Sequence, residues 1–226
     1  MADTARDRKT VRLNTPVTAE AVADLRLGDV VYLDGMIYTG RERVYQAVLE
    51  DGWALPPELA GLSNVNFHCS PAAAQEDDGS FSIGAVTATA SFRFAKWLPR
   101  WFEISGCRMI IGKGGMSEEV YKSIFVPAGA VYLTTVGYGT GALLGRGIKK
   151  VRQVFWLEEL GLAQALWVFE VSGLGPFLVE SDSTGASLFE NNNRQINSQI
   201  ESLYKGLKKP ALSRYGETDD RKDELI

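Results

Sequence analysis

The chain has 226 residues, 45% of them apolar and 23% charged, with a formal net charge of −4. That length fills one sizeable core, and the lack of a basic excess argues against nucleic acid as the main partner. No run reaches the roughly 18 apolar residues of a membrane-spanning helix. The charged opening stretch lacks the apolar segment of a secretory signal, so a cytoplasmic location is expected. Cys69 and Cys107 are too few to hold an iron–sulfur cluster, which takes about four thiolates.

In chain order, residues 1–14 read as a charged, aperiodic arm, 15–207 as a single domain and 208–226 as a polar, disordered tail. Thr15 or Thr18 caps a short helix carrying Val22 and Leu25 on its inner face, and Gly28-Asp29 ends it. Val30–Leu33 and Met36–Thr39 flank Asp34-Gly35, which predicts a two-residue hairpin. Arg41 opens a helical stretch to about Leu49. Val65–His68 reads as a strand, Ala72 to Gly79 as an exposed loop, and Phe81 to Thr89 as a run of small and β-branched residues. Phe92 to Ile104 has aromatic residues spaced for one apolar helix face, interrupted by Pro99; these are expected in the core.

The stretch from Cys107 to Tyr121 organises the rest. Met109, Ile110 and Ile111 lie between Gly106 and Gly112 and predict a strand buried on both faces. Gly112, Gly114 and Gly115 free the backbone to turn, and Ser117 caps a helix start. A glycine turn, a lysine and a helix start form a ready anion site, although the spacing is not that of a Walker A loop. A plain turn with a solvated Lys113 satisfies the same pattern. Further strands are expected at Ala130–Thr134, Val151–Trp156, Leu166–Val171 and Phe177–Glu180. A final helix is expected from about Asn191 to Leu207, with Ile196, Ile200, Leu203 and Leu207 on one face. Strands interspersed with helices predict an α/β fold with a mixed central sheet and flanking helices. His68, the sole histidine, reads as a packed, hydrogen-bonded group, and the two cysteines as small core residues.

Several motifs share one order and spacing. They are Leu27-Gly28-Asp29-Val30-Val31-Tyr32-Leu33, Thr39-Gly40-Arg41-Glu42-Arg43-Val44-Tyr45, His68-Cys69-Ser70-Pro71, Ala88-Thr89-Ala90-Ser91-Phe92-Arg93-Phe94 and Gly112-Lys113-Gly114-Gly115-Met116. Over roughly Thr15 to Leu188 the chain resembles the β subunit of the iron–sulfur class I fumarase and L-tartrate dehydratase family, the same module as the C-terminal domain of single-chain class I fumarases.

The resemblance implies a swivelling β/β/α domain and a hydro-lyase that adds or removes water at a hydroxycarboxylate. It implies a partner α subunit carrying a [4Fe-4S] cluster, in an αβ or α2β2 assembly, with no metal ligand on this chain. Carried over by motif, Arg41, Arg93 and Lys113 bind substrate carboxylates, and Thr89 occupies the proton-transfer position. Arginine forks match planar carboxylates bidentately, while lysine supplies a point charge. The chain departs from the family at Ala88, Ala90, Phe94, Tyr45, Glu42 and Ser70. Those departures imply either a different acid as substrate or weakened catalysis. A non-catalytic paralogue that binds a carboxylate or a protein partner is the alternative reading, and a phosphate or nucleotide binder built on Gly112–Gly115 is a third.

Overall fold

The computed structural model describes residues 8–137, 139–203, 205–206, 212–214 and 217–218. They fall into two compact units, 1–190 and 191–226. In the first unit the chain runs β1 (Thr10–Asn14), α1 (Ala19–Asp24), β2 (Val30–Thr39), α2 (Glu42–Leu49), β3 (Val65–Phe67), β4 (Cys69–Gln75) and β5 (Phe81–Ala88). It continues with α3 (Leu98–Ser105), β6 (Met109–Gly112), α4 (118–128), β7 (Val131–Thr135), α5 (Gly141–Gly147), β8 (Ile148–Phe155), α6 (Leu157–Leu160) and β9 (Leu166–Ser181). Helix α7 (Leu188–Leu203) spans the boundary, and β10 (Leu212–Arg214) pairs antiparallel with β11 (Glu217–Thr218) in the second unit.

The central sheet is mixed, in the order β1-β2-β3-β6-β7-β9-β8, and β9 also pairs with β2. That extra pairing closes β2, β3, β6, β7 and β9 into a barrel. Strands β1, β2, β3, β6 and β7 are mutually parallel along the sheet, whereas β9 runs antiparallel to β2, β7 and β8.

Two cores follow from the alternation of side chains along the strands. Val31, Leu33, Val65, Phe67, Met109, Ile111, Val131, Leu133, Trp167 and Phe169 fill one. The β4–β5 hairpin caps it, with Phe81 edge-on to Trp167 at 5.1 Å. The opposite sheet face supplies Tyr38, Ile110, Tyr132, Leu166 and Val168, which pack against aromatic residues of the helices, among them Tyr45, Phe94, Trp97, Trp101 and Tyr121. Hairpin, barrel sheet and helices therefore stack as layers around one mixed sheet.

Several expectations are corrected. Asp34-Gly35 makes no hairpin, because β2 is continuous from Val30 to Thr39. Gly35 takes φ +106 inside the strand, at an irregularity in the β2–β9 register. Asp34 is occupied by Arg12 and by the Gly173 amide at 2.9 Å. Pairing with β1 and β9 outweighs the local turn signal. Residues 10–14 of the expected arm form β1. Ala72–Gln75 belongs to β4, and the turn is confined to Glu76–Ser80, where the Glu76 amide donates to the Ser80 carbonyl at 2.9 Å.

The two strands expected within 166–180 are one 16-residue strand. The 92–104 segment begins as a 3-10 helix over Ser91–Trp97 and becomes α-helical at Leu98. Phe92 is 62% exposed and is not a core residue. The final helix begins at Leu188, three residues earlier than expected, and Leu207 lies outside the described residues. Ile196 and Ile200 are exposed on it. Of the expected tail, only 212–214 and 217–218 are described, and these pair as strands. No helix among the described residues is long and apolar enough to cross a membrane.

Candidate active site

Four parallel strands reach a common level, with Thr39 beside Phe67, Phe67 beside Ile111 and Ile111 beside Leu133. One or two residues beyond it, at the strands' C-terminal ends, stand Arg41, His68 and Lys113. Open α/β sheets gather ligand-binding groups at such ends. Residues 89–90 extend the sheet there. The Thr89 amide donates to the His68 carbonyl at 2.7 Å, and the Lys113 amide donates to the Thr89 carbonyl at 3.1 Å. Ala90 forms a parallel bridge with Lys113.

Arg41 caps the start of α2 and is half-buried. Its Nη1 donates to the Ala163 carbonyl at 2.8 Å and to Ser70 Oγ, and Ser70 Oγ donates to the same carbonyl at 2.9 Å. Its Nε is buried with no partner among the described residues. Burial lowers the Arg41 pKa, and the neighbouring Arg93 charge lowers it further. Arg93 is exposed on the 3-10 turn after Thr89, its guanidinium 5.5 Å from the Phe94 ring. Lys113 is exposed and borders a cavity of about 380 Å³, to which Ala88, Thr135 and Thr140 also contribute. Thr89 is buried. The structure thus joins Thr89 to Lys113 through the backbone and places Arg41 within electrostatic reach of Arg93.

Behind these groups lies a buried polar chain. Asn66 Nδ2 donates to the Tyr45 hydroxyl at 2.8 Å, which is 2.6 Å from His68 Nε2. His68 Nδ1 is 2.7 Å from Ser91 Oγ, which also accepts from the Tyr132 hydroxyl at 2.9 Å and donates to the Thr89 carbonyl at 3.5 Å. Because Tyr45 has one proton and already accepts from Asn66, it donates to Nε2. The imidazole then carries its hydrogen on Nδ1 and donates to Ser91. Burial, aided by the Arg41 charge, pushes the His68 pKa down to about 3, so the ring is neutral. The expected packed, hydrogen-bonded role of His68 is the observed one.

Gly112 has a reason the sequence did not reveal. A Cβ there would sit 1.9 Å from Ser91 Oγ and 2.6 Å from the Tyr132 hydroxyl. Close approach requires this glycine, whereas Gly114 is the one in the group with a left-handed φ, of +72. Sequence reading also missed Ser91 and Tyr132. Ser91 stood in the same motif as Thr89, but its partners come from distant strands.

The departures from the family pattern separate by location. Tyr45 and Phe94 are fully buried in the aromatic core between sheet and helices. Ala88 borders the cavity, and Ala90 pairs with Lys113 at the strand ends. Ser70, another departure, hydrogen-bonds to Arg41 directly. Tyr45 therefore carries no argument about substrate choice, whereas Ala88, Ala90 and Ser70 adjoin the site.

A cluster does not suit this chain. Cys69 and Cys107 are buried, and burial raises both thiol pKa values, that of Cys107 to about 11. Thiolates are what iron–sulfur sites require. Among the described residues, no group of three or more His, Cys, Asp or Glu side chains is placed to hold a metal.

Comparison with known proteins adds the remaining evidence. Residues 1–192 match the family model described as Fumarase C-terminus. A putative L(+)-tartrate dehydratase subunit beta of Methanocaldococcus jannaschii is 33% identical over 190 residues, covering 83% of this chain and 95% of the relative. The L(+)-tartrate dehydratase subunit beta of Escherichia coli K12 is 30% identical over 190 residues, covering 80% and 88%. A putative class I fumarate hydratase of Geobacillus stearothermophilus is 30% identical over 213 residues, covering 94% of this chain but 39% of that longer protein. The match spans the barrel, the hairpin and every residue of the site, and the chain belongs to the fumarase C-terminus family.

Proposed function

We propose that the chain is the β-type subunit of a hydro-lyase that adds or removes water at a hydroxycarboxylate. The observation that carries this reading is the placement of Arg41, Arg93, Thr89 and Lys113 around the C-terminal ends of adjacent parallel strands, in a chain of this family. A [4Fe-4S] cluster, held by an α-type partner, would supply Lewis-acid chemistry. This chain supplies the rest.

Arg41 and Arg93 hold carboxylate oxygens. The buried, unused Nε of Arg41 is a donor that such an oxygen can take. Lys113 adds a third positive charge and stabilises the negative charge that grows on the substrate as a carbon-bound proton leaves. Holding both ends of the acid fixes the reacting carbon, an ordering effect that supplies up to about 7–11 kcal/mol in ideal systems. Deprotonated, Thr89 Oγ1 would take the carbon-bound proton in dehydration, and the hydroxyl so formed would return it in hydration, the nearby cations favouring the alkoxide. Its neighbours on the sheet, the Lys113 amide and the His68 carbonyl, keep its backbone fixed during that transfer.

Anaerobic co-expression with an α-type chain, followed by a turnover screen over malate, tartrate and related hydroxy acids, tests the proposal. A co-purified complex that converts one acid, and loses conversion on Lys113→Ala, supports it. A lone chain that captures no cluster-bearing partner and no acid overturns it. A complex that binds an acid without converting it identifies the non-catalytic relative.

A further inference from the structure

Glu180 takes no part in the mechanism above, yet it is the most enclosed carboxyl near the site. It lies in β9 with no exposed surface. Ser187 Oγ donates to its Oε1 at 2.6 Å, and the same Ser187 oxygen accepts the Glu190 amide at 3.1 Å. Its Oε2 is buried with no hydrogen-bond partner among the described residues. Two features tie it to the glycine turn that carries Lys113. A Cβ on Gly115 would sit 2.9 Å from Oε1, so the turn rests directly on the carboxyl. Tyr121, whose hydroxyl faces the same carboxyl, accepts the Met116 amide proton at 2.7 Å.

We propose that Glu180 is a positioning residue: with Tyr121 it forms a buried platform under the turn from Gly112 to Met116 and fixes where Lys113 projects. The inference rests on the reading of Lys113 as a substrate-binding cation.

The chemistry of the surroundings supports it. Besides Tyr121 on α4, the groups acting on Glu180 are Tyr132 on β7, Ser187, the Phe189 backbone and the like-charged Glu190. Burial raises the Glu180 pKa, and Glu190 raises it further, against the opposing influence of the Ser187 and Tyr121 hydroxyls and the Phe189 backbone. Whatever its protonation state, the carboxyl keeps acceptor capacity toward the Ser187 and Tyr121 hydroxyls, which enclose it beneath the turn. The same pairing explains why position 115 is glycine. Any side chain there would lift the turn off its support.

The test compares Glu180→Ala, Glu180→Gln and Tyr121→Phe in the full chain and in the reconstituted complex. Amide hydrogen exchange at Gly114–Met116 is read in the chain; KM and kcat for the acid that the wild-type complex turns over are read in the complex. Glu180→Ala is expected to speed exchange at Met116 and raise KM by about tenfold each, the effect of losing about one hydrogen bond's worth of order, with kcat changed less than KM. Glu180→Gln, which keeps the shape and both hydrogen-bonding capacities, is expected to restore both. Tyr121→Phe should reproduce the loss while leaving Glu180 in place, and it decides the matter if the alanine variant does not fold. Unchanged Met116 exchange and unchanged KM in a folded Glu180→Ala or Tyr121→Phe variant would overturn the proposal. A wild-type complex without activity would overturn the subunit reading instead, and exchange at Met116 would still decide the platform.

Discussion

The Lys113 amide donates to the Thr89 carbonyl at 3.1 Å, so the proposed proton-transfer residue and a proposed substrate cation are one backbone hydrogen bond apart. The two reach this position from different parts of the fold. Lys113 ends a barrel strand, whereas Thr89 follows the hairpin that caps the inner core. A shift of either element misaligns the pair, which couples the core behind the site to the chemistry in front of it.

Gly112→Ala should be among the most damaging single substitutions at the strand ends. Its methyl would meet Ser91 Oγ at 1.9 Å and the Tyr132 hydroxyl at 2.6 Å, both of them buried and hydrogen-bonded. Overpacking of this kind costs about 1–3 kcal/mol, and urea unfolding of the variant should show it. Gly114→Ala has open space around its Cβ, and its left-handed φ sets a smaller penalty of about 1 kcal/mol.

Tyr45→Phe separates a core role from a site role. The change removes the hydroxyl shared by Asn66 and His68 and leaves both polar groups short of a buried partner. Stability should fall by about 1–3 kcal/mol, while KM of the reconstituted complex stays within about twofold. A large KM change would return Tyr45 to the substrate pocket.

Acid sensitivity should trace to the single histidine. Burial holds the folded His68 pKa at about 3, against an ordinary value of 6.5. The stability this represents is fully present above pH 6.5 and is lost as the pH falls from there toward 3. Its upper bound is about 5 kcal/mol. The urea midpoint should therefore drop between pH 7 and 4, and His68→Gln should flatten that part of the profile while lowering stability at pH 7.

Arg41→Lys should weaken binding of the acid although the charge is kept. The guanidinium spans Ser70 and the Ala163 carbonyl with Nη1 and still has Nε free. A lysine ammonium cannot serve all three directions from one position. A rise in KM of about tenfold is expected, about one charge-assisted hydrogen bond, with kcat reduced less.

The elements that carry the candidate site were legible where their signals are local. The buried triplet Met109–Ile111, the glycines after it and the Ser117 cap predict strand, turn and helix start, and Ser117 Oγ accepts the Val120 amide as a cap should. The start of α2 at Arg41 was readable from the same kind of punctuation, whereas the role proposed for Arg41 came only with the family resemblance. The failures were long-range. Asp34-Gly35 carries real turn chemistry, but parallel pairing with β1 and antiparallel pairing with β9 hold the chain straight through it. The gap expected between Val171 and Phe177 contains Gly173, Gly175 and Pro176, which the long strand absorbs as register irregularities. The buried chain through Tyr45, His68, Ser91 and Tyr132 links residues 23 and 41 positions apart, and no local pattern encodes such a network. Glu180 read as the end of a strand because its partners lie on α4 and in the segment after β9.

In the proposed reaction Thr89 moves the proton while the three cations hold the acid. Thr89→Val removes the hydroxyl and keeps the shape at a buried position. In the reconstituted complex, kcat should fall by about 100-fold or more, the usual range for losing a general acid or base, with KM nearly unchanged. A variant complex that keeps the wild-type kcat would exclude Thr89 from the proton transfer.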